Sequence, residues 1–245
     1  MNFFRFLENK ETYFRAIQEA AQREYSYHHL SEAIEPTIVR KKYGIGGKVM
    51  LRGPMCPNFL EEHVIGNIRR GRLCTNAKDP DYVYYFDRQD RLVKVDKNTE
   101  VGVCTEYILS EGDMRFGFHF MSKEHWKNGI YAVLMEDGHI GATIWHSVIM
   151  DSDKPTAFDV WTFEYGQGRP RNVTSCYIKE GSEHSPSVII TSIGYRLDAD
   201  EKGQIVKYHV MSGPHCNEKR PGTETAFVLL RPIPPKIWGQ TYGMI

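Results

Sequence analysis

Residues 82–96 read Tyr-Val-Tyr-Tyr-Phe-Asp-Arg-Gln-Asp-Arg-Leu-Val-Lys-Val-Asp, and this stretch decides the fold class. Tyr82, Tyr84 and Phe86 put an aromatic ring at every second position, with Val83 and Tyr85 between them. In the return segment Leu92, Val93, Lys94 and Val95 alternate in the same way. A period of two belongs to a strand, because successive side chains leave opposite faces of the pleat. Asp87 to Asp90 supplies the turn, with short polar side chains that bond the local backbone and accept turn geometry. The stretch is a β-hairpin.

Working outward, Tyr85-Phe86-Asp87-Arg88-Gln89-Asp90-Arg91-Leu92 resembles one unit of the YD (RHS-type) repeats, in which Tyr-x-Tyr-Asp is followed by Gly-Arg-Leu. Asp90 stands where that family has glycine. Fainter echoes lie at Phe163-Glu164-Tyr165-Gly166-Gln167-Gly168-Arg169, and at Tyr195-Arg196-Leu197-Asp198 leading to Gly203-Gln204-Ile205. The resemblance covers a minor part of the chain without the regular spacing of an array. It implies strand–turn–strand units and no activity, and aromatic strands with Asp/Gly turns converge on the same pattern.

More strands follow the first hairpin: Glu100–Leu109, Met114–Met121, Ile130–Met135, His139–Met150, Phe158–Tyr165, Arg171–Ile178, Ser187–Asp198, Gln204–Met211 and Phe227–Leu230. Glu136-Asp137-Gly138 gives one hairpin its Asp-Gly turn. Ser122 begins a helical turn through Trp126. Pro232, Pro234 and Pro235 forbid a central ladder position, so a Pro-rich tail over 232–245 is expected on the surface. So many consecutive antiparallel strands predict a mainly β (α+β) fold. The expected form is a long antiparallel meander over 81–231, as a curved sheet, sandwich or open barrel.

Two N-terminal helices are expected to pack on it. Asn9 can cap the first, Lys10–Tyr25, whose Tyr13, Phe14, Ile17, Ala20, Ala21 and Tyr25 fall on one side. The second is marked by Pro57, Glu61, Glu62, Arg69, Arg70 and Gly71. Between them a hairpin joins Ile38–Tyr43 to Lys48–Arg52. Its Gly44–Gly47 loop before Lys48 lacks the Walker spacing and the hydroxyl that magnesium requires. Residues 1–245 are read as a single domain, in which 1–80 can form a helix-hairpin-helix subdomain.

The 245 residues are 41% apolar and 12% aromatic, enough for a core, and Lys+Arg equals Asp+Glu at 31 each. That balance gives no bulk attraction to nucleic acid or anionic membrane. Arg115-Phe116-Gly117-Phe118 is only a distant echo of an RNA-binding signature. Met1–Glu8 becomes charged too early for a secretory signal, and no run approaches the roughly eighteen apolar residues of a membrane span. Five scattered cysteines, Cys56, Cys74, Cys104, Cys176 and Cys216, read as reduced thiols of a cytoplasmic protein.

Chemistry has few carriers. The histidines show no metal-ligand spacing, and no cofactor or metal is expected. No Gly-x-Ser-x-Gly elbow occurs, and no catalytic residue is assigned. Glu106, Glu164 and Asp159 on strands would make an acid/base pair only with an inward histidine. Two readings remain. In the first, the chain is a non-enzymatic bacterial protein-binding module, in its specific form an immunity (antitoxin) protein that neutralises a toxin domain. Its sheet face, with Tyr82, Tyr84 and Phe86 if that side is exposed, meets the partner. In the second, a barrel binds or transforms a small hydrophobic ligand among Trp145, Trp161, Phe118, His119, His146 and Glu164.

Overall fold

The computed structural model describes residues 1–23, 26–45, 72–100, 102–121, 126–146, 157–179, 188–212 and 224–233. Two helices lead, α1 (Phe3–Gln22) and α2 (Tyr27–Ile34), followed by a 3₁₀ turn, Glu35–Thr37. Then come β1 (Arg40–Ile45), β2 (Arg72–Cys74), β3 (Tyr82–Phe86), β4 (Leu92–Thr99), β5 (Gly102–Glu111), β6 (Met114–Met121) and β7 (Trp126–Glu136). The remainder are β8 (His139–His146), β9 (Ala157–Gly166), β10 (Arg169–Lys179), β11 (Val188–Ala199), β12 (Ile205–Ser212) and β13 (Glu224–Ile233). Their hydrogen-bonded order is β13 back to β3 in sequence, then β1, then β2. The described sheet is therefore an open antiparallel meander, as the alternation predicts.

Two compact units are distinguished. Met1–Tyr13 with Leu134–Thr241 forms one, and Phe14–Val133 with Tyr242–Ile245 forms the other. The boundaries fall inside α1 and inside β7.

Local chemistry sets the helix ends. α1 starts earlier than Asn9 suggests, because Asn2 Oδ1 accepts the Arg5 N–H at 2.8 Å and caps the first turn. Asn9 lies within the helix, donating from Nδ2 to the Arg5 carbonyl at 2.9 Å. Of the helix's apolar positions, Phe6 is buried in the first unit; Phe14, Ile17 and Ala20 are buried in the second. α2 is capped by Ser26, whose Oγ accepts the His29 N–H at 3.1 Å. Leu30 and Ile34 form its buried side. The helix expected over 57–70 and the return strand over 48–52 lie outside the described residues.

The turns follow from backbone handedness. Asp137 and Gly138 have φ of +50° and +76°, and Gln167 and Gly168 +55° and +73°. Two consecutive left-handed residues are what a tight type I′ hairpin turn requires. In the β3–β4 turn Asp87 Oδ1 accepts the N–H groups of Gln89 and Arg91, both at 2.9 Å. Its Oδ2 accepts Arg91 Nε at 2.8 Å. Burial opposes the charge on Asp87, but these donors outweigh it and hold the carboxyl below the usual carboxylate range.

Three expectations are corrected. Tyr82, Tyr84 and Phe86 are only 3, 0 and 0% exposed, and pack with Leu92, Val95 and Ile108 in a core cluster. An exposed contact surface on that side of β3 is not present, since alternation fixes a common face but not whether it is open. Trp126, expected as the end of a helical turn, begins β7 instead, and positions 122–125 of that expected turn lie outside the described residues. Pro232 lies within β13, the terminal strand of the order, where a missing N–H leaves no central ladder bond unmade.

Candidate functional site

Register assembles one row of side chains across the second unit. Lys42 lies opposite Tyr84, Tyr84 opposite Val95, Val95 opposite Glu106, and Glu106 opposite His119. Directly opposed Cβ atoms of an antiparallel pair are about 4.5–5.5 Å apart, so Glu106 and His119 share one site on the sheet. They are 2 and 7% exposed. This is the inward carboxylate beside an inward histidine that acid–base chemistry requires. Both side chains are buried on the face that carries Tyr84 and Val95. Lys42, at the end of the row, is pushed below its ordinary value by burial and then by the neighbouring Arg40.

The other face of the same strands carries a polar network under α2. Lys94 Nζ donates to Glu35 Oε1 at 2.7 Å, and Tyr107 OH donates to the same oxygen at 2.9 Å. Tyr85 OH donates to Asp96 Oδ2 at 2.6 Å, and Thr105 Oγ1 to Asp96 Oδ1 at 2.7 Å. The ammonium also lies 5.0 and 5.3 Å from the ring centres of Tyr85 and Tyr107. Burial pushes both phenols up, reinforced by the hydrogen bond to Asp96 for Tyr85 and by bonds to Tyr27 and Glu35 for Tyr107. Burial works against the Glu35 charge, yet the bonds from Lys94 and Tyr107 hold its carboxyl below the usual range. Tyr27 packs edge-on against Tyr107 and Phe120 at 5.5 and 5.6 Å. The network seats α2 and its 3₁₀ turn on the sheet.

Within each unit the residues of the hydrophobic-ligand reading are divided between the two faces of the sheet. Phe118 and His119 belong to the second unit and, being consecutive on β6, leave opposite faces; Phe118 opposes Tyr107, His119 opposes Glu106. In the first unit His146 opposes Phe158 and stacks on it at 4.7 Å, while Trp145 opposes Asp159 on the other face. Trp161 opposes Ser175 and stacks on Tyr195 at 5.9 Å. Glu164 opposes Asn172, whose Nδ2 donates to Glu164 Oε2 at 2.5 Å. Alternation separates Trp145 and Trp161 from His146 and Glu164 for the same reason that it builds the sheet.

Two features of the first unit were not found from sequence. One is His209, buried on β12, whose Nε2 is 2.6 Å from Asp198 Oδ2, with Nδ1 3.2 Å from Arg196 Nη2. No local signal carried it: a register shift between Asp198 and Ala199 sets Arg196 opposite His209, whereas counting outward from Ala199 and Ile205 would set it opposite Tyr208. The other is an open face. Tyr177, Ile193 and Phe227 are 43, 38 and 41% exposed. Register places them on one side: Tyr177 opposes Thr191, Ile193 opposes Ser175, and Phe227 opposes and stacks on Tyr208 at 5.0 Å. On the reverse side Phe158, Val160, Cys176 and Ile178 are buried; on the side of Tyr177 the residues Val173, Tyr195 and Leu197 are buried too, so that face is accessible around Tyr177, Ile193 and Phe227 and closed elsewhere.

Among the described residues no group of three or more His, Cys, Asp or Glu side chains forms a metal-binding cluster. No described helix is long and apolar enough to cross a membrane. Comparison with known proteins finds no matching family model, no matching curated protein and no matching solved structure.

Proposed function

We propose that this chain is a protein-binding module that holds its partner on the open face of β10–β13. The observation that carries the reading is the exposure of Tyr177, Ile193 and Phe227 on one side of the sheet, interleaved with Ser175, Thr191 and Thr225. Positions 175, 177, 191, 193, 208, 210, 225 and 227, half-buried or exposed on that side, carry no charged residue; Asp159 and Lys179 flank them. A nucleic acid requires cations here, so its phosphates find no counter-charge. A small apolar ligand requires enclosure, which a sheet face does not supply. Aromatic, aliphatic and hydroxyl side chains with lysine and glutamate depleted are the composition of a protein contact. In its specific form, the partner is a toxin domain that the chain neutralises by contact.

The test is affinity capture with matched variants. Ile193→Asp and Phe227→Asp are expected to weaken the captured complex at least about tenfold, since central apolar anchors carry most of a contact's energy. Val103→Asp, at an exposed apolar position of the other unit, leaves it unchanged. Loss of binding in the Val103 variant alone, or equal binding by all variants, overturns the assignment. For the specific form, co-expression with a toxin encoded beside the gene restores growth, and the Ile193→Asp chain does not.

A further inference from the structure

We propose that a hollow at the β9–β10 turn binds an oxyanion, the phosphate or carboxylate group of a small molecule. The hollow has a volume of about 430 Å³ and is lined by Gln167, Arg169, Arg171 and Asp198, with Leu197 and Ile205 at its apolar wall. That volume suits a compact metabolite-sized ligand. The inference is independent of the protein-contact reading, which uses other residues.

Three observations converge on an anion. First, two arginines, Arg169 and Arg171, line the hollow. Arg171 makes no ion pair among the described residues, and Arg169 has only the 3.3 Å contact of Nη2 with Gln167 Oε1. Guanidinium forks match carboxylate and phosphate oxygens with two parallel N–H donors. Second, the Gln167–Gly168 type I′ turn fixes where Gln167 and Arg169 leave the hairpin, so the donors are mounted on a tight turn and not on a long loop. Third, the one carboxylate in the lining is engaged elsewhere. Arg196 Nη2 is always a donor, so the Nδ1 it meets at 3.2 Å accepts, and His209 carries its proton on Nε2. That proton is given to Asp198 Oδ2 at 2.6 Å, while Arg196 Nε lies 3.8 Å from Oδ1. His209 is therefore a positioning residue. It turns the Asp198 carboxylate toward Arg196 and leaves the charges of Arg169 and Arg171 for a ligand.

The experiment is calorimetric titration of the full chain at constant ionic strength, with inorganic phosphate in one arm and succinate in the other. Saturable one-to-one binding in either arm is expected, and the arm that binds more tightly identifies the oxyanion. Arg169→Gln and Arg171→Gln each weaken it at least about tenfold, the loss expected for a charge-assisted fork. Arg88→Gln, in the other unit, binds like the parent. Asp198→Asn, which removes the lining's negative charge, tightens binding. Thermal melting of each variant confirms that the fold is kept. No heat in either arm, or parental affinity in both arginine variants, overturns the proposal.

Discussion

Asp90 shows how one backbone angle ties sequence to structure. Its φ is +62°, a left-handed conformation that glycine accepts freely and aspartate better than most residues. Its N–H donates to the Asp87 carbonyl at 3.1 Å, and its carboxylate pairs with Arg40. Asp90→Ala loses that exposed pair and keeps a Cβ in the left-handed region without the polar side chain that eases it. Asp90→Gly loses the pair but relieves the angle. The glycine variant is expected to be about 1 kcal/mol more stable than the alanine variant, read from urea midpoints at equal slope. Equal stability would mean the turn relaxes to another geometry. Turns of this kind are the most legible part of the sequence, because Asp-Gly and its relatives report a backbone angle directly. Asp137-Gly138 is read correctly for that reason. Exposure is not legible at this scale. Nothing in Tyr82-x-Tyr84-x-Phe86 distinguishes a buried aromatic face from an open one, and the structure buries it while opening the side that bears Tyr177 and Ile193.

At the scale of elements, the meander was legible and the placement of the helices was not. Strands announce themselves within eight or ten residues, as β6 does over Met114–Met121. The seat of α2 depends on Glu35 meeting Lys94, 59 positions away, and no local pattern carries that. Ser26 was a readable cap, but eight residues give too short an apolar stripe to compete with the turn signals around it. The network makes a sharp prediction. Glu35→Ala leaves the Lys94 ammonium buried with Asp96 Oδ2 at 3.7 Å as its remaining carboxylate, at an expected cost of about 2 kcal/mol. Lys94→Met removes the orphaned charge as well. The double variant is therefore expected to lose about 1 kcal/mol less than the sum of the singles. pH sharpens the test. Glu35 has a folded pKa below its unfolded value, so its contribution is full above the unfolded pKa of about 4.3 and is lost as pH falls through the lower folded value. The coupling measured at neutral pH must shrink under acid; a coupling that survives there would place its origin in packing against Tyr85 and Tyr107.

At the scale of the molecule, the division into two units has a thermodynamic consequence. Each unit has its own buried set: Tyr84, Phe86, Tyr107 and Phe116 in one, Phe158, Val160, Phe163 and Ile178 in the other. Two cores ordinarily license two unfolding steps. Here the boundaries cut α1 between Tyr13 and Phe14, and β7 between Val133 and Leu134. Unfolding one unit alone therefore requires breaking a helix and a strand in mid-course, losing hydrogen bonds on the side that stays folded. One cooperative transition is expected. Hydrogen exchange read by mass spectrometry tests this with peptides from β5 and β10, which lie in different units. Their slowest amides should reach the same limiting free energy and respond in parallel to urea. Substituting Phe158→Ala, a buried ring of the β10 unit, should cost about 3–5 kcal/mol and lower the limit for β5 as much as for β10. If only β10 loses protection, the units fold independently, and the oxyanion hollow and the open face can be studied on the unit that carries both.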